Sequence, residues 1–156
     1  ESTTMKTTSA ENLTIFLDFD GVLHKKMIGN FELLANFNQV LNLFPNIKIV
    51  ISSDWRHSMK PQNNQEIFGE YANRIIGKTP IITGASFLRE LEILAYVRQH
   101  SIQKFIAIDD DCRNELFNAN CNWLFKTDYF RGLDVEATNN LIKFIQIKLE
   151  EKIIHR

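Results

Sequence analysis

The sequence predicts an α/β fold in which a parallel β-sheet is covered by helices on both faces. Short apolar runs alternate with amphipathic helical stretches along the whole chain, which is the pattern of a three-layer α/β/α, Rossmann-like domain. Several of these runs end in carboxylate or hydroxyl residues. Because the carboxyl ends of parallel strands meet at one edge of the sheet, such residues are expected to converge there.

Five apolar runs with β-branched and aromatic residues predict the strands of this sheet. The second of them, IKIVIS, is nearly uninterrupted, as expected for a strand buried on both faces. The predicted strands cover about residues 14–18, 47–52, 80–82, 105–109 and 122–125.

The helices are predicted from apolar residues that recur every three or four positions. Leu34, Phe37 and Leu41 form such a stripe within a helix predicted over residues 31–44, which Pro45 ends. Further helices are predicted around the remaining apolar stripes and cover about residues 65–76, 86–100 and 135–151. Ser86 is the predicted N-cap of the helix over 86–100.

The length of 156 residues predicts one domain over 13–156, preceded by a disordered or tag-like segment over 1–12. The stretches 24–31 and 57–79 are too short to hold more than a flap or a helix and a loop. We therefore expect neither stretch to hold an inserted domain.

Composition excludes several classes of protein. With 18 Lys and Arg against 19 Asp and Glu, the formal net charge is −1, so no global basic field favours a nucleic-acid or membrane-surface protein. No apolar stretch approaches the ~20 residues of a membrane span. Cys112 and Cys121 form no C-x-x-C motif, and we expect reduced, buried thiols and no disulfide-linked partner. These features predict a cytoplasmic protein without a membrane partner.

The segment TIFLDFDGVL at residues 14–23 is the most informative stretch. It is an apolar run that ends in Asp18, followed by Asp20 and by Gly21 at a turn. Two acids at one strand end repel each other unless a cation lies between them, and Mg²⁺ is the simplest such cation.

Three other segments deliver polar residues to the same edge. The second strand ends in Ser52 and Ser53 and is followed by Asp54-Trp55-Arg56, the fourth strand ends in Asp109-Asp110-Asp111, and the helix before it carries Arg89 in its first turn. Acids, hydroxyls and a guanidinium are thus expected in one place.

This set of residues predicts phosphoryl transfer. Asp18 is the predicted nucleophile, and Asp20 is the predicted acid and base for the leaving group and for water. Arg89 is expected to anchor phosphate or orient Asp18, and Ser52 to donate its hydroxyl to a phosphate oxygen. The predicted Mg²⁺ ligands are Asp18, Asp20, Asp109 and Asp110, with Asp111 an alternative to Asp110.

The remaining substrate contacts are predicted with alternatives. Ser53 is a second candidate for the phosphate contact. Trp55 could stack on a base and Arg56 could bind a second phosphate, but a buried Trp55 with Arg56 paired to Asp54 fits the sequence equally well. His24 and His57 are interpreted as loop residues.

The motifs DFDGVL, a strand ending in serine, a basic helix residue and a strand ending in DD resemble the haloacid dehalogenase (HAD) superfamily of phosphohydrolases. ISSDWR, RIIGKTP at residues 74–80, RELEI at 89–93 and AIDDD are similar to the small HAD group found in Swiss Army Knife RNA-repair proteins. The resemblance implies an aspartyl-phosphate mechanism, the strand order 5-4-1-2-3, and an RNA or DNA 3′ end among the candidate phosphorylated substrates. It covers about residues 14–130. Because the family inserts its cap modules in the stretches that correspond to 24–31 and 57–79, which are short here, the resemblance also implies that there is no substantial cap domain.

One residue departs from the HAD pattern, because the family usually has Lys where this chain has Arg89. Lys78 and Lys126 are conceivable stand-ins, whereas Lys104 precedes the fourth strand and is expected roughly 13 Å from the catalytic edge.

The leading hypothesis is a Mg²⁺-dependent phosphomonoesterase. Two alternatives stay open at this point. One is a receiver-like signalling domain phosphorylated on Asp54, with Lys126 at the end of the fifth strand; the other is a catalytically degenerate HAD fold kept as a binding module, which the arginine at position 89 motivates.

Overall fold

The computed structural model describes residues 12–151, and its centre is one five-stranded parallel sheet. The strands are β1 (Leu13–Leu17), β2 (Ile47–Ile51), β3 (Ile75–Lys78), β4 (Phe105–Asp109) and β5 (Leu124–Lys126). Their order across the sheet is β3-β2-β1-β4-β5, which is the predicted order 5-4-1-2-3 written from the other edge. The N-terminal segment predicted over 1–12 lies outside the described residues except for Asn12.

Around the strands, residues 12–151 form four α-helices and two 3₁₀ turns. The helices are α1 (Leu34–Leu43), α2 (Pro61–Phe68), α3 (Leu88–His100) and α4 (Val135–Glu150). The 3₁₀ turns cover Asp54–His57 after β2 and Gly69–Arg74 before β3.

Alternation along β1 divides the core into two layers. Leu13, Ile15 and Leu17 pack into the larger cluster, which includes residues of α1 and α4. Phe16 points to the opposite face, where it meets Ile93 and Tyr96 of α3. Because both faces of the central strands are covered by helices, the three-layer α/β/α prediction is confirmed.

The sheet order also decides between two of the hypotheses. In the flavodoxin-like order of receiver domains, the first strand lies between the second and the third. Here β1 pairs with β2 and β4. The receiver-like alternative is therefore excluded.

The predicted position of the third strand is wrong. Residues 80–82 form no strand, and β3 lies at Ile75–Lys78, where Ile49 of β2 pairs with Ile75. The predicted helix over 65–76 is split, because α2 ends at Phe68 and a 3₁₀ turn follows.

Two helix starts also differ from the prediction. Ser86 does not cap α3, whose first residue is preceded by Phe87 in a left-handed conformation. Helix α1 begins at Leu34 rather than at residue 31, since Phe31 has a φ of 53° that a right-handed helix does not allow. By contrast, Asp134 caps α4 by accepting a hydrogen bond from the Ala137 backbone at 2.9 Å.

The loop of residues 24–31, which we call the flap loop, connects β1 to α1 without a helix of its own, so no cap domain is evident over the carboxyl edge. Within residues 12–151, no helix has both the length and the apolar character that a bilayer span requires. Cys112 and Cys121 are free thiols. Since Cys112 is exposed and Cys121 half-buried, the prediction that both are buried is wrong.

Candidate active site

Parallel pairing brings three chain segments to one edge of the sheet. Leu17 of β1 is in register with Ile108 of β4, and the Asp18 backbone N–H donates to the Ile108 carbonyl at 3.0 Å. On the other side of β1, the Ser52 N–H donates to the Leu17 carbonyl, also at 3.0 Å. Asp18 therefore lies between the ends of β2 and β4.

Three aspartates form a buried acidic cluster at this edge. Asp18, Asp109 and Asp110 are 5%, 1% and 7% exposed, and one carboxylate oxygen from each lies within 4.8 Å of the others. The side chain of Asp20, which we also predicted as a metal ligand, is not part of this cluster.

The cluster is electrostatically unfavourable when all its members are charged. Burial raises the pKa of Asp18 well above its ordinary value, and the neighbouring Asp109 raises it further, against the opposing effect of Arg89. Burial likewise raises the pKa of Asp109 to about 6, although Arg89 and the Asp111 backbone N–H favour its charged form. Shifts of this direction and size are typical of sites that bind a cation or carry out acid–base chemistry.

Arg89 is the cation of the cluster. Its Nη1 lies 2.7 Å from Asp109 Oδ2 and 3.6 Å from Asp18 Oδ1, while its Nη2 donates to Asp54 Oδ1 at 3.1 Å. Burial lowers the pKa of Arg89, but Asp109, Asp18 and Asp54 together raise it above the ordinary value. The guanidinium therefore stays charged and connects the predicted nucleophile to a predicted metal ligand.

The donor set fits Mg²⁺. Three buried carboxylates face one guanidinium, so negative charge remains that a divalent cation would neutralise. Carboxylate oxygens are the ligands that this hard cation prefers. Asp18, Asp109 and Asp110 are the residues that would hold it.

Asp110 occupies space that a side chain at residue 21 would fill. The glycine has a φ of +73°, and a Cβ at this position would lie 2.9 Å from both Cβ and Cγ of Asp110. A side chain at residue 21 would therefore be strained and would push Asp110 out of the cluster.

Asp20 is held from two sides. Its Oδ1 accepts a hydrogen bond from His24 Nε2 at 2.7 Å and another from Trp55 Nε1 at 3.1 Å. The indole packs against Phe19 and Phe31 at ring-centroid distances of 5.6 and 5.2 Å. Trp55 thus contacts the predicted acid–base residue instead of standing free for a base to stack on.

The two serines after β2 have different environments. Ser53 Oγ accepts a hydrogen bond from the Trp55 backbone at 3.2 Å and caps the 3₁₀ turn Asp54–His57. Ser52 Oγ is buried and has no hydrogen-bond partner among the described residues. An unpaired buried hydroxyl at the catalytic edge favours Ser52 over Ser53 as the phosphate contact.

Arg56 follows the second of its two predicted alternatives, because its Nη1 pairs with Asp54 Oδ1 at 3.7 Å. It is 2% exposed, and its guanidinium donates to four backbone carbonyls and contacts Glu92 Oε1 at 2.8 Å. The carbonyls belong to Ser52, Ser53, Thr79 and Pro80, at 3.0 to 3.1 Å. Because its donors are used within the protein, this environment argues against Arg56 as a substrate contact.

Asp111 and the lysines have other partners. Asp111 accepts hydrogen bonds from the backbone of Glu115, Leu116 and Phe117, which leaves Asp110 as the neighbour of Asp109 in the cluster. Lys78 donates to the Arg56 carbonyl at 3.4 Å, Lys126 bonds to Asn114, and Lys104 donates to the Leu149 carbonyl at 2.7 Å. Of the basic residues compared here, Arg89 is therefore the one that contacts the acidic cluster, at Asp18 and Asp109.

Sequence reasoning missed two buried residues of this site. His24, interpreted as a loop residue, is 0% exposed and contacts Asp20. Glu92 is 6% exposed and connects Arg56 to the backbone N–H of Ile82. The spacing of Glu92 three residues after Arg89 was a usable signal for a side chain on the same helix face.

Mg²⁺ should raise the unfolding temperature of the metal-free protein at about pH 7.5 by about 4 °C at ten times its Kd. A carboxyl whose pKa is raised on folding stabilises the fold when protonated, and this contribution is lost as pH rises through the raised value, about 6 for Asp109. The Mg²⁺ effect should therefore shrink at about pH 5, where protons compete with the metal.

Calorimetry or dye-monitored unfolding with and without Mg²⁺ measures this effect. Asp110→Asn should remove most of the shift. Glu115→Gln changes an exposed carboxylate outside the cluster and serves as the matched control. A shift that survives in Asp110→Asn would place the metal elsewhere.

The family model of HAD domains in Swiss Army Knife RNA repair proteins matches residues 14–138, a span that includes every residue of the site described above. No curated protein and no solved structure matches the chain.

Proposed function

The chain belongs to the family of HAD domains in Swiss Army Knife RNA repair proteins, and from this premise we propose that it is a Mg²⁺-dependent phosphomonoesterase that forms an aspartyl-phosphate intermediate. The family indicates phosphatase-type chemistry in RNA repair. The observation that carries the proposal is the buried cluster of Asp18, Asp109 and Asp110 beside Arg89.

In the proposed reaction, an oxygen of Asp18 attacks phosphorus and the bond to the leaving oxygen breaks. Asp20 gives a proton to that oxygen and later takes one from the water that cleaves the aspartyl-phosphate. Arg89 orients Asp18 and balances charge on the phosphoryl group, and Ser52 donates its hydroxyl to a phosphate oxygen.

Asp18, Asp109 and Asp110 would hold the metal. When bound, Mg²⁺ would reduce the repulsion between the Asp18 carboxylate and an incoming phosphate dianion. Asp20 lies outside this cluster, so we retain it as the acid–base residue and not as a side-chain ligand.

An RNA or DNA 3′ end is the substrate that the molecule supports best. Besides the family, the support is an exposed aromatic and basic pair beside the site: Phe130 is 63% exposed, and Lys26 Nζ lies 5.3 Å from its ring centroid. Lys26 is tied to the catalytic turn, because its carbonyl accepts from the Gly21 N–H at 2.9 Å. Exposed rings with neighbouring cations are a common platform for unpaired nucleotides.

Phe130→Ala should lower kcat/KM for a 3′-phosphorylated oligonucleotide about tenfold more than kcat/KM for a small aryl phosphate, because only the oligonucleotide offers a base to stack. Steady-state kinetics with both substrates measure the difference. Val135→Ala, which removes another exposed apolar side chain at the start of α4, should affect the two substrates equally. Equal losses in Phe130→Ala would remove Phe130 from the substrate site.

The proposed function is tested by phosphate release from a panel of substrates under Mg²⁺. The panel contains a 3′-phosphorylated oligonucleotide, a 5′-phosphorylated one, a mononucleotide, a phosphopeptide and an aryl phosphate. The expected order places the 3′-phosphorylated oligonucleotide first. Turnover of none of them, together with the Mg²⁺-dependent stabilisation described above, would instead identify a metal-binding but catalytically degenerate HAD domain.

A further inference from the structure

His24 and Trp55 converge on one oxygen of Asp20. Both His24 Nε2, at 2.7 Å, and Trp55 Nε1, at 3.1 Å, approach Oδ1. No other described residue donates a hydrogen bond to this carboxyl group. The two oxygens of Asp20 are therefore unequal, since Oδ1 has two protein donors and Oδ2 has none among the described residues.

The environment of His24 fixes which of its nitrogens carries hydrogen. The ring is 0% exposed and packs against Phe31 and Trp55 at centroid distances of 5.0 and 5.7 Å. Its Nδ1 is buried without a hydrogen-bond partner among the described residues. A hydrogen on Nδ1 would be a buried, unsatisfied donor, so we assign the ring hydrogen to Nε2. His24 is then a hydrogen-bond donor to Asp20.

From this geometry we infer that His24 and Trp55 are positioning residues that hold Asp20 by Oδ1 and leave Oδ2 for the reacting oxygen. Because Oδ1 already accepts two hydrogen bonds, Oδ2 is the oxygen left to exchange a proton with the leaving group. The inference rests on the proposed function, in which Asp20 protonates the leaving group.

In the proposed reaction Asp20 gives up one proton and later takes one back. As the Asp18 oxygen bonds to phosphorus, the electron pair of the breaking bond moves to the leaving oxygen, which takes the hydrogen from Asp20 Oδ2 and leaves as an alcohol. Asp20 is then a carboxylate stabilised at Oδ1 by His24 and Trp55. In the second step Asp20 takes a proton from water as the water oxygen bonds to phosphorus. The bond between phosphorus and the Asp18 oxygen breaks, so inorganic phosphate leaves and Asp18 is again a carboxylate.

The dependence of the rate on the leaving group separates this role from a merely structural one. A dinitrophenolate leaves without protonation, whereas an alkoxide requires the proton of Asp20. His24→Leu should lower kcat/KM for an alkyl phosphate by about 10- to 100-fold, but that for dinitrophenyl phosphate by less than about 3-fold. The quantity kcat/KM is the one to compare, because it reports the first, phosphoryl-transfer step.

Two further variants keep the test decisive if His24→Leu folds poorly. His24→Gln offers an amide N–H in place of Nε2–H and should recover most of the activity toward the alkyl phosphate. Trp55→Phe removes the second donor while keeping an aromatic ring, and should repeat the selective loss. His57→Gln, at a half-exposed histidine outside the site, is the matched control and should leave kcat/KM unchanged for both substrates.

Equal losses on both substrates in Trp55→Phe and His24→Leu would overturn the inference while leaving a working phosphatase. The absence of activity on both substrates in the unmodified protein would instead overturn the proposed function. The two failures are therefore distinguishable in one set of measurements.

Discussion

Replacing Asp18 by asparagine is expected to lower phosphate release by about 10⁴-fold or more for every substrate, because the amide is no nucleophile toward phosphorus and the other site residues cannot replace it. Asn has nearly the same shape as Asp and fits the same buried position at the end of β1. The fold should be retained, and the lost activity is therefore chemical in origin.

The stability of Asp18→Asn provides an independent check. Burial and Asp109 raise the pKa of Asp18 well above its ordinary value, so its negative charge opposes folding at neutral pH. We expect the unfolding temperature of metal-free Asp18→Asn at about pH 7.5 to equal or exceed that of the unmodified protein.

Trapping the intermediate distinguishes covalent catalysis from direct attack by water. Acid-quenched protein incubated with a radiolabelled phosphomonoester should carry a label that hydroxylamine releases, and Asp18→Asn should carry none. Turnover in Asp18→Asn above about 10⁻⁴ of that of the unmodified protein, or a label that persists in it, contradicts the assignment of Asp18 as nucleophile.

Arg89→Met has the second large effect, since it removes the cation from the acidic cluster. Arg89 is 5% exposed and contacts Asp109, which is 1% exposed, at 2.7 Å. Removal of one partner from a buried ion pair leaves an uncompensated charge, and the free energy of unfolding of the metal-free protein should fall by about 3 kcal/mol at neutral pH. Phosphatase activity should be lost with it.

The stability deficit of Arg89→Met should depend on pH and on the metal. Arg89 favours the charged form of Asp109, whose pKa is about 6 in the unmodified protein. Without Arg89 this carboxyl group takes up its proton at a higher pH, so the deficit should shrink as pH falls toward about 6. For the same reason Mg²⁺ should stabilise Arg89→Met more than the unmodified protein. Denaturant unfolding at several pH values, with and without Mg²⁺, measures both effects.

Arg131→Met is the matched control for this experiment. Arg131 is 63% exposed and pairs with Asp134 and Glu136 at the surface, and its loss should cost less than about 0.5 kcal/mol. Arg89→Lys adds a finer comparison, because it restores the residue usual in the family but cannot reach Asp109 and Asp54 through separate nitrogens. A deficit in Arg89→Met no larger than that of Arg131→Met would refute the electrostatic account.

The elements that sequence reasoning located correctly are those with a strong local signal. Strands β1 and β4 are apolar runs with acids at their ends, and α4 has both an apolar stripe and an aspartate at its N-cap. The position of β3 was missed because Ile75 and Ile76 extend the apolar pattern of the preceding helix. These residues form a strand because they pair with β2. A local hydrophobic pattern does not predict such a long-range contact.

The same distinction holds for the site. Asp18, Asp109 and Asp110 could be placed together because parallel strand ends converge. The sequence left Arg56 between two alternatives, since the carbonyls that accept its hydrogen bonds come from residues 79 and 80 as well as from its own loop. The contact between His24 and Asp20 depends on the path of the flap loop. A loop has no hydrophobic periodicity from which its path could be predicted.

The carbonyl contacts of Arg56 have a consequence for catalysis. The guanidinium connects the segment after β2, which carries Ser52, to the segment after β3, and Glu92 anchors it to α3. The N–H groups of Arg56 thus all have partners, and they join three elements of the scaffold. An edge held in this way is preorganised for the phosphate group that we propose it binds, so little reorganisation energy is needed when the substrate arrives.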